Sequence, residues 1–134
     1  MNLRISGMFG LALLCFGGLG YAHHSLSSEF DESKPLTLKG VVTTVDWENP
    51  HVFIHLSVKD GDHTTEWSLE TLPPVVLRRG GLRKEMLGAG QAVTVLGYAA
   101  RTGNNLAFLR KITFADGHEV VVSVGDVKSA EQAK

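Results

Sequence analysis

The sequence predicts a mainly β protein: a small OB-like Greek-key barrel of five to six strands, with one short helix between strands three and four. Three observations support this fold class. Short apolar runs rich in Val and Thr alternate with polar residues, turn residues separate these runs, and residues 71–90 break the strand pattern midway. Three strands, a helix and further strands follow in the order of an oligonucleotide/oligosaccharide-binding (OB) barrel. A small open sandwich is the alternative.

The first half of the domain contains three predicted strands. Leu36–Trp47 is dense in Val and Thr, and Gly40 within it indicates a bulge or a tight bend. His51–Val58 alternates strictly, so its even-numbered apolar residues should face the core and its odd-numbered residues the other side. The turn Asp60-Gly61-Asp62 predicts a hairpin into the third strand, Thr64–Leu69.

The second half begins with helical signals. Thr71 can cap a short helix that ends at Gly80-Gly81, and Leu82–Leu87 predicts a second helical turn. Strands are then predicted at Gln91–Ala99, Asn105–Phe114 and Glu119–Val124, with turns between them.

The first 22 residues are predicted to be a signal peptide rather than part of the fold. Arg4 supplies a positive start, an apolar run follows, and Gly20-Tyr21-Ala22 offers a cleavage site before His23. The alternative is an uncleaved anchor, but the run is shorter than the roughly 20 residues that span a bilayer. Export to a periplasm is expected, with an N-terminal arm at 23–35, a barrel at 36–124 and a flexible tail at 125–134.

Composition excludes several classes of protein. The 134 residues carry a formal net charge of −1, which argues against a nucleic-acid partner. The one cysteine, Cys15, lies in the predicted signal peptide, so no disulfide or thiol nucleophile is expected after cleavage. No catalytic motif is present, and after cleavage no membrane partner is expected.

Several motifs together resemble a family of small exported bacterial proteins of unknown function. They are Ala22-His23-His24-Ser25, Leu38-Lys39-Gly40-Val41-Val42, Trp47-Glu48-Asn49-Pro50-His51, Leu77-Arg78-Arg79-Gly80-Gly81 and Val93-Thr94-Val95-Leu96-Gly97-Tyr98. The resemblance implies export and a barrel-like fold, and it implies no particular chemistry. Leu26 and Leu82 stand where the family commonly has aromatic residues.

The histidines suggest a metal site. If cleavage makes His23 the first residue, its α-amine and imidazole can chelate one ion, and a further histidine would complete a three-nitrogen set that suits Cu(II). His24, His51 and His55 are candidate partners. On a strand His51 and His55 would lie about 13 Å apart, too far to share an ion without a bulge. The alternative is that His23 and His24 are simply solvated; copper is the only cofactor indicated.

A second hypothesis is a ligand- or protein-interaction module of the cell envelope. Phe53 and Trp67, with His55 between them, would form an aromatic face if they share the outside of strands two and three. Arg78 and Arg79, with Arg83 and Lys84, could bind an anionic group, although a solvated face paired with Glu85 is the simpler interpretation. A structural envelope protein without a ligand is the third possibility.

Overall fold

The computed structural model of the protein describes residues 26–122. Over this range the chain forms six strands, two short α-helices and one 3₁₀ turn. In chain order they are α1 (Leu26–Glu29), β1 (Phe30–Asp46), β2 (Phe53–Asp60), β3 (His63–Glu70), α2 (Pro74–Arg79), the 3₁₀ turn (Lys84–Met86), β4 (Ala92–Ala100), β5 (Leu106–Phe114) and β6 (Glu119–Val121). None of the helices in the described part of the chain is long and apolar enough to cross a membrane.

The strands form one sheet that closes into a ring. The hydrogen-bonded order is β3-β2-β1-β4-β5-β6, and a short parallel pairing of β3 with β5 joins the ends of the five-stranded part. All other pairings are antiparallel, and β6 adds to β5 outside the ring. With α2 between β3 and β4, the predicted OB-like Greek-key barrel is confirmed.

Strand β1 is the longest element and pairs on both of its edges. Its N-terminal half pairs with β4 and its C-terminal half with β2, and at Gly40 it pairs with both. A Cβ at Gly40 would lie 2.7 Å from the carbonyl oxygen of Ser57, so the backbones approach too closely for a side chain. The irregularity in the β1–β2 register lies at Val42/Thr44, slightly further along the strand.

The core fills the inside of the ring. Val52, Ile54 and Leu56 are fully buried, as the alternation of β2 predicts. Leu69, Val95, Leu109 and Ile112 meet them from the other strands, and α2 contributes Val76 and Leu77. Deleting several methylene groups from such a core costs about 2–5 kcal/mol, so these residues hold the barrel together.

A second, smaller apolar contact lies outside the ring and involves the residues before Leu36. β1 begins at Phe30, inside the segment predicted as an arm, and Phe30 is 1% exposed. Its ring lies 5.6 Å from that of Phe108 on β5. Phe108 alternates with the fully buried Ala107 and Leu109, which point inward, so it points outward and needs this cover. The backbone N–H of Arg101 donates to the carbonyl of Glu29 and thereby ties α1 down as well.

Candidate functional site

Polar side chains with ligand or hydrogen-bonding chemistry gather on the outside of β1, β2 and β3. The register pairs Phe53 with both Asp46 and Glu70, and His55 with Ser68. Because directly paired residues point to the same side of a sheet, these residues share one surface. We call it the outer β1–β3 face, formed by Asp46, Phe53, His55, Ser68 and Glu70.

The shortest polar contact at this face joins His51 and Glu70. His51 Nδ1 lies 2.6 Å from Glu70 Oε1. The Glu70 side chain is only 11% exposed, whereas the His51 side chain is 45% exposed. An ionised carboxylate can only accept a hydrogen bond, so Nδ1 donates to it and Nε2 of a neutral ring keeps its lone pair. Nε2 has no hydrogen-bond partner within residues 26–122.

The surroundings of Glu70 disfavour the ionised form of its carboxyl group. Burial raises the pKa of the Glu70 carboxyl above its ordinary value, and the negative charge of Glu29 raises it further, while His51 acts in the opposite direction. Burial is the larger cause, because a partly desolvated carboxylate loses hydration that one hydrogen bond does not replace. A positive charge arriving at His51 would therefore stabilise the ionised form of Glu70.

His55 lies in the middle of a second hydrogen-bonded group. Its Nδ1 is 2.9 Å from Ser68 Oγ, and its Nε2 is 2.9 Å from Asp46 Oδ2. Both ring nitrogens are engaged, so neither is free to bind a metal. The order Asp46–His55–Ser68 resembles a hydrolase triad, but all three residues lie within paired strands, whose backbone N–H groups serve the sheet ladder rather than an oxyanion. We interpret this group as structural, because its hydrogen bonds connect β1, β2 and β3.

The two strand histidines therefore serve different partners, as their spacing predicts. His51 contacts Glu70, and His55 contacts Ser68 and Asp46. Within residues 26–122 no group of three or more His, Cys, Asp or Glu side chains could hold a metal ion. His23 and His24, the other two members of the predicted metal site, lie outside the described residues.

The aromatic face predicted from Phe53 and Trp67 is not formed. Trp67 pairs with Leu56, which is fully buried, so Trp67 points inward and packs against the core. Phe53 points outward, beside Asp46 and Glu70. The two rings lie on opposite sides of the sheet because Trp67 pairs with Leu56, which is three residues from Phe53 along β2 and so faces the other side.

The predicted basic cluster surrounds the end of α2. Arg78 and Arg79 are in its last turn, and Arg83 and Lys84 follow at the 3₁₀ turn; all four are exposed. None of them forms an ion pair with any carboxylate in the described range, Glu85 included. The four cations thus lie on a solvated face, as the simpler interpretation has it, but Glu85 does not pair with them in the described range.

Asp46, Ser68 and Glu70 are residues of the outer β1–β3 face that the sequence did not predict, although for Glu70 a signal was available. The hairpin loop between β2 and β3 is Gly61-Asp62, and Gly61 has the positive φ of +60° that tight hairpin turns favour. With a two-residue loop, Asp60 pairs with His63, and each step back along β2 pairs with one step forward along β3. Phe53 therefore pairs with Glu70. The same count pairs Trp67 with Leu56, so it also gives the inward direction of Trp67.

Fold and site together define a small closed β-barrel with a histidine–carboxylate pair at one end of its outer face. The chain belongs to the family of unknown function DUF6152, whose model matches residues 12–111. This agrees with the resemblance noted from the sequence to an uncharacterised family. No curated protein and no solved structure matches the chain.

Proposed function

We propose that this protein is an exported metal-binding protein of the bacterial envelope, and that it holds one Cu(II) ion between His51 and the N-terminal histidines. The observation that carries the proposal is the His51–Glu70 pair. A histidine that binds a metal through one ring nitrogen commonly donates its other N–H to a carboxylate, which sets the tautomer and the ring direction. His51 has this arrangement: Nδ1 faces the shielded Glu70, and the more exposed ring presents Nε2.

One imidazole is too few ligands for a stable copper site, and the start of the processed chain can supply the others. Cleavage before His23 would provide an α-amine and an imidazole from one residue, with a second imidazole from His24. An amine with an ordinary pKa near 8 deprotonates when a metal competes with its proton. Together with Nε2 of His51 these are nitrogen ligands, which Cu(II) prefers.

The position of α1 makes this combination sterically reasonable. The negative charge of Glu29, the last residue of α1, acts on Glu70, so α1 lies near the His51–Glu70 pair. Phe30, the next residue, packs on Phe108, which is paired with Glu70. His23 precedes Leu26, the first residue of α1, by three residues, and three extended residues span about 11 Å. His23 could therefore lie up to about 11 Å from Leu26, and the proposal requires that this reach include His51.

Charge favours a cation at this place. Glu70 contacts His51, the charge of Glu29 acts on Glu70, and a metal on Nε2 would strengthen the hydrogen bond from Nδ1–H to the Glu70 carboxylate. Copper affinity should therefore rise with pH for two reasons, since protons compete for the nitrogen ligands and protonation of Glu70 removes its support.

The test is a Cu(II) titration, monitored against a competing chelator, of the protein purified from the exported fraction. His51→Ala should weaken binding at least tenfold, and Glu70→Gln by about 10–100-fold, as for other carboxylates that orient a ligand. His63→Ala is the matched control, because His63 is exposed at the start of β3 and contacts neither group. One extra residue before His23 should also abolish the tight site.

Two results would contradict the proposal. Mass spectrometry could show that the exported chain does not begin at His23, which removes the amine ligand. Alternatively, His51→Ala and His63→Ala could bind copper equally well, which would mean that the N-terminal residues bind the ion without the barrel.

A further inference from the structure

The cations around α2 are four exposed basic residues close together in the chain, and none of them forms an ion pair within residues 26–122. Lys34 and Arg101 both approach Asp31, and Lys111 contacts Glu119 at 2.9 Å. We call Arg78, Arg79, Arg83 and Lys84 the basic segment; its four side chains are exposed and form no ion pair within the described range. Repulsion between neighbouring like charges makes such a cluster unfavourable unless something anionic offsets it.

Charge is also segregated along the chain. Glu85 is the only acidic residue between positions 71 and 115, although this stretch contains the whole basic segment and also Arg101, Arg110 and Lys111. Most acidic residues lie earlier, on β1 to β3 and the loops between them. The net charge of −1 therefore combines an acidic first half of the described chain with a stretch from 71 to 115 that is almost free of acidic residues.

An exposed apolar residue adjoins the cations. Val75 on α2 is 49% exposed, although Val76 and Leu77 beside it are buried. Residues three and four positions apart share one side of a helix, so Val75 lies on the same side of α2 as Arg78 and Arg79. An apolar residue flanked by basic residues on a surface helix is a pattern typical of contact with lipid headgroups.

We propose that α2 and the 3₁₀ turn form a docking surface for an anionic lipid membrane. The four cations are long, flexible and unpaired, which suits a diffuse negative surface better than one fixed protein partner. A nucleic acid offers negative charge but no apolar region for the exposed Val75, so Val75 beside the basic segment favours a lipid surface. The proposal does not depend on copper binding, and it replaces the expectation that the processed chain has no membrane partner.

The expected size of the effect follows from the number of cations. Each Lys or Arg close to an anionic leaflet strengthens binding about fivefold. Removing two of them should therefore weaken binding about 30-fold. Salt screens exposed charges, and raising it from about 0.1 to about 0.5 M shortens the screening length roughly twofold. Binding to anionic vesicles should therefore fall steeply over this range.

The test is co-sedimentation of the purified protein with vesicles of phosphatidylcholine, with and without about one-third phosphatidylglycerol, a content at which electrostatic attraction is marked. Arg78→Gln with Arg79→Gln should weaken binding to the anionic vesicles about 30-fold. Lys39→Gln with Lys59→Gln is the matched control. It removes the same charge from two exposed residues that form no ion pair in the described structure and lie on β1 and β2. Urea melts of both variants establish that they fold.

The proposal requires that the control pair bind within about threefold of the wild type, since distant cations contribute little at ordinary ionic strength. Equal losses in both pairs would mean that net charge alone drives binding, and the surface assignment would be wrong. Binding that is the same with and without phosphatidylglycerol would also overturn it. If Val75→Ser has no effect on vesicle binding, binding depends on charge alone. An acidic protein could then bind the basic segment equally well, and the assignment to lipid would be wrong.

Discussion

Replacing Gly97 with alanine should destabilise the barrel by about 3 kcal/mol, near the upper end for an overpacked position. Gly97 lies on β4 at a shift in the β4–β5 register. A Cβ placed there would be 2.4 Å from the carbonyl oxygen of Phe108 and 3.3 Å from its carbonyl carbon. The obstruction is backbone, so no side-chain rotation can relieve it.

The cost follows from what must move. To bring the contact out to about 3.0 Å, strands β4 and β5 must separate locally by roughly 0.6 Å, which weakens the ladder hydrogen bonds at about 1 kcal/mol each. Phe108 cannot move freely, because β3 pairs with it through Glu70 and the Phe30 ring packs on it. The substitution should therefore also disturb the His51–Glu70 pair.

Urea unfolding followed by tryptophan fluorescence measures the effect, since Trp47 and Trp67 both pack against the core. With a slope of about 1.5 kcal/mol/M, the midpoint should fall by about 2 M. Gly88→Ala is the matched control: nothing lies within 4 Å of its added Cβ, so it should be neutral or stabilise by up to about 1 kcal/mol.

A loss of less than about 1 kcal/mol for Gly97→Ala, or an equal effect at Gly88, would refute this reasoning. It would mean that the β4–β5 ladder yields without cost, and that close backbone approach does not require glycine at this corner of the barrel.

Two further predictions concern the burial of Glu70 and the register of β2 with β3. Burial raises the pKa of Glu70 in the folded protein above its ordinary value of 4.5. As the pH rises past 4.5, the unfolded state loses the Glu70 proton before the folded state does. The free energy of unfolding therefore falls as pH rises through this range. Glu70→Gln should therefore gain stability relative to the wild type between pH 4 and pH 7 in urea melts; parallel pH profiles would contradict the assigned burial. Trp67→Ala should cost about 2–4 kcal/mol, because Trp67 packs against the core, whereas Phe53→Ala on the outer face should cost less than about 1 kcal/mol. The reverse order in chemical denaturation would show that the β2–β3 register is wrong.

Local patterns predicted most of the barrel. The alternation from His51 to Val58 identified Val52, Ile54 and Leu56 as core residues, and all three are fully buried. Turn residues located the hairpins, and Gly80-Gly81 marked the end of α2, but the N-cap is Pro73 without a side-chain hydrogen bond, so the predicted cap at Thr71 is wrong. These features depend on side-chain period and backbone conformation over a few residues, so they are visible without knowledge of the fold.

The start of β1 could not be predicted from local sequence patterns. Residues 30–35 are mostly polar and were expected to belong to an arm, yet they extend β1. Phe30 pairs with Ala100 on β4 and packs on Phe108, both distant in sequence. A single buried aromatic residue in a polar stretch has no period that could predict this contact.

The sequence by itself determined the strand order, the inward residues of β2, the position of the helix, the wide separation of His51 from His55 and the exposed basic segment. Each of these follows from period, turn chemistry or charge along neighbouring residues. Only the tertiary structure decided that β3 closes on β5, that Trp67 faces the core, and that Glu70 is shielded beside His51. Ring closure brings together residues far apart in the chain, and the burial that raises the pKa of Glu70 exists only after it.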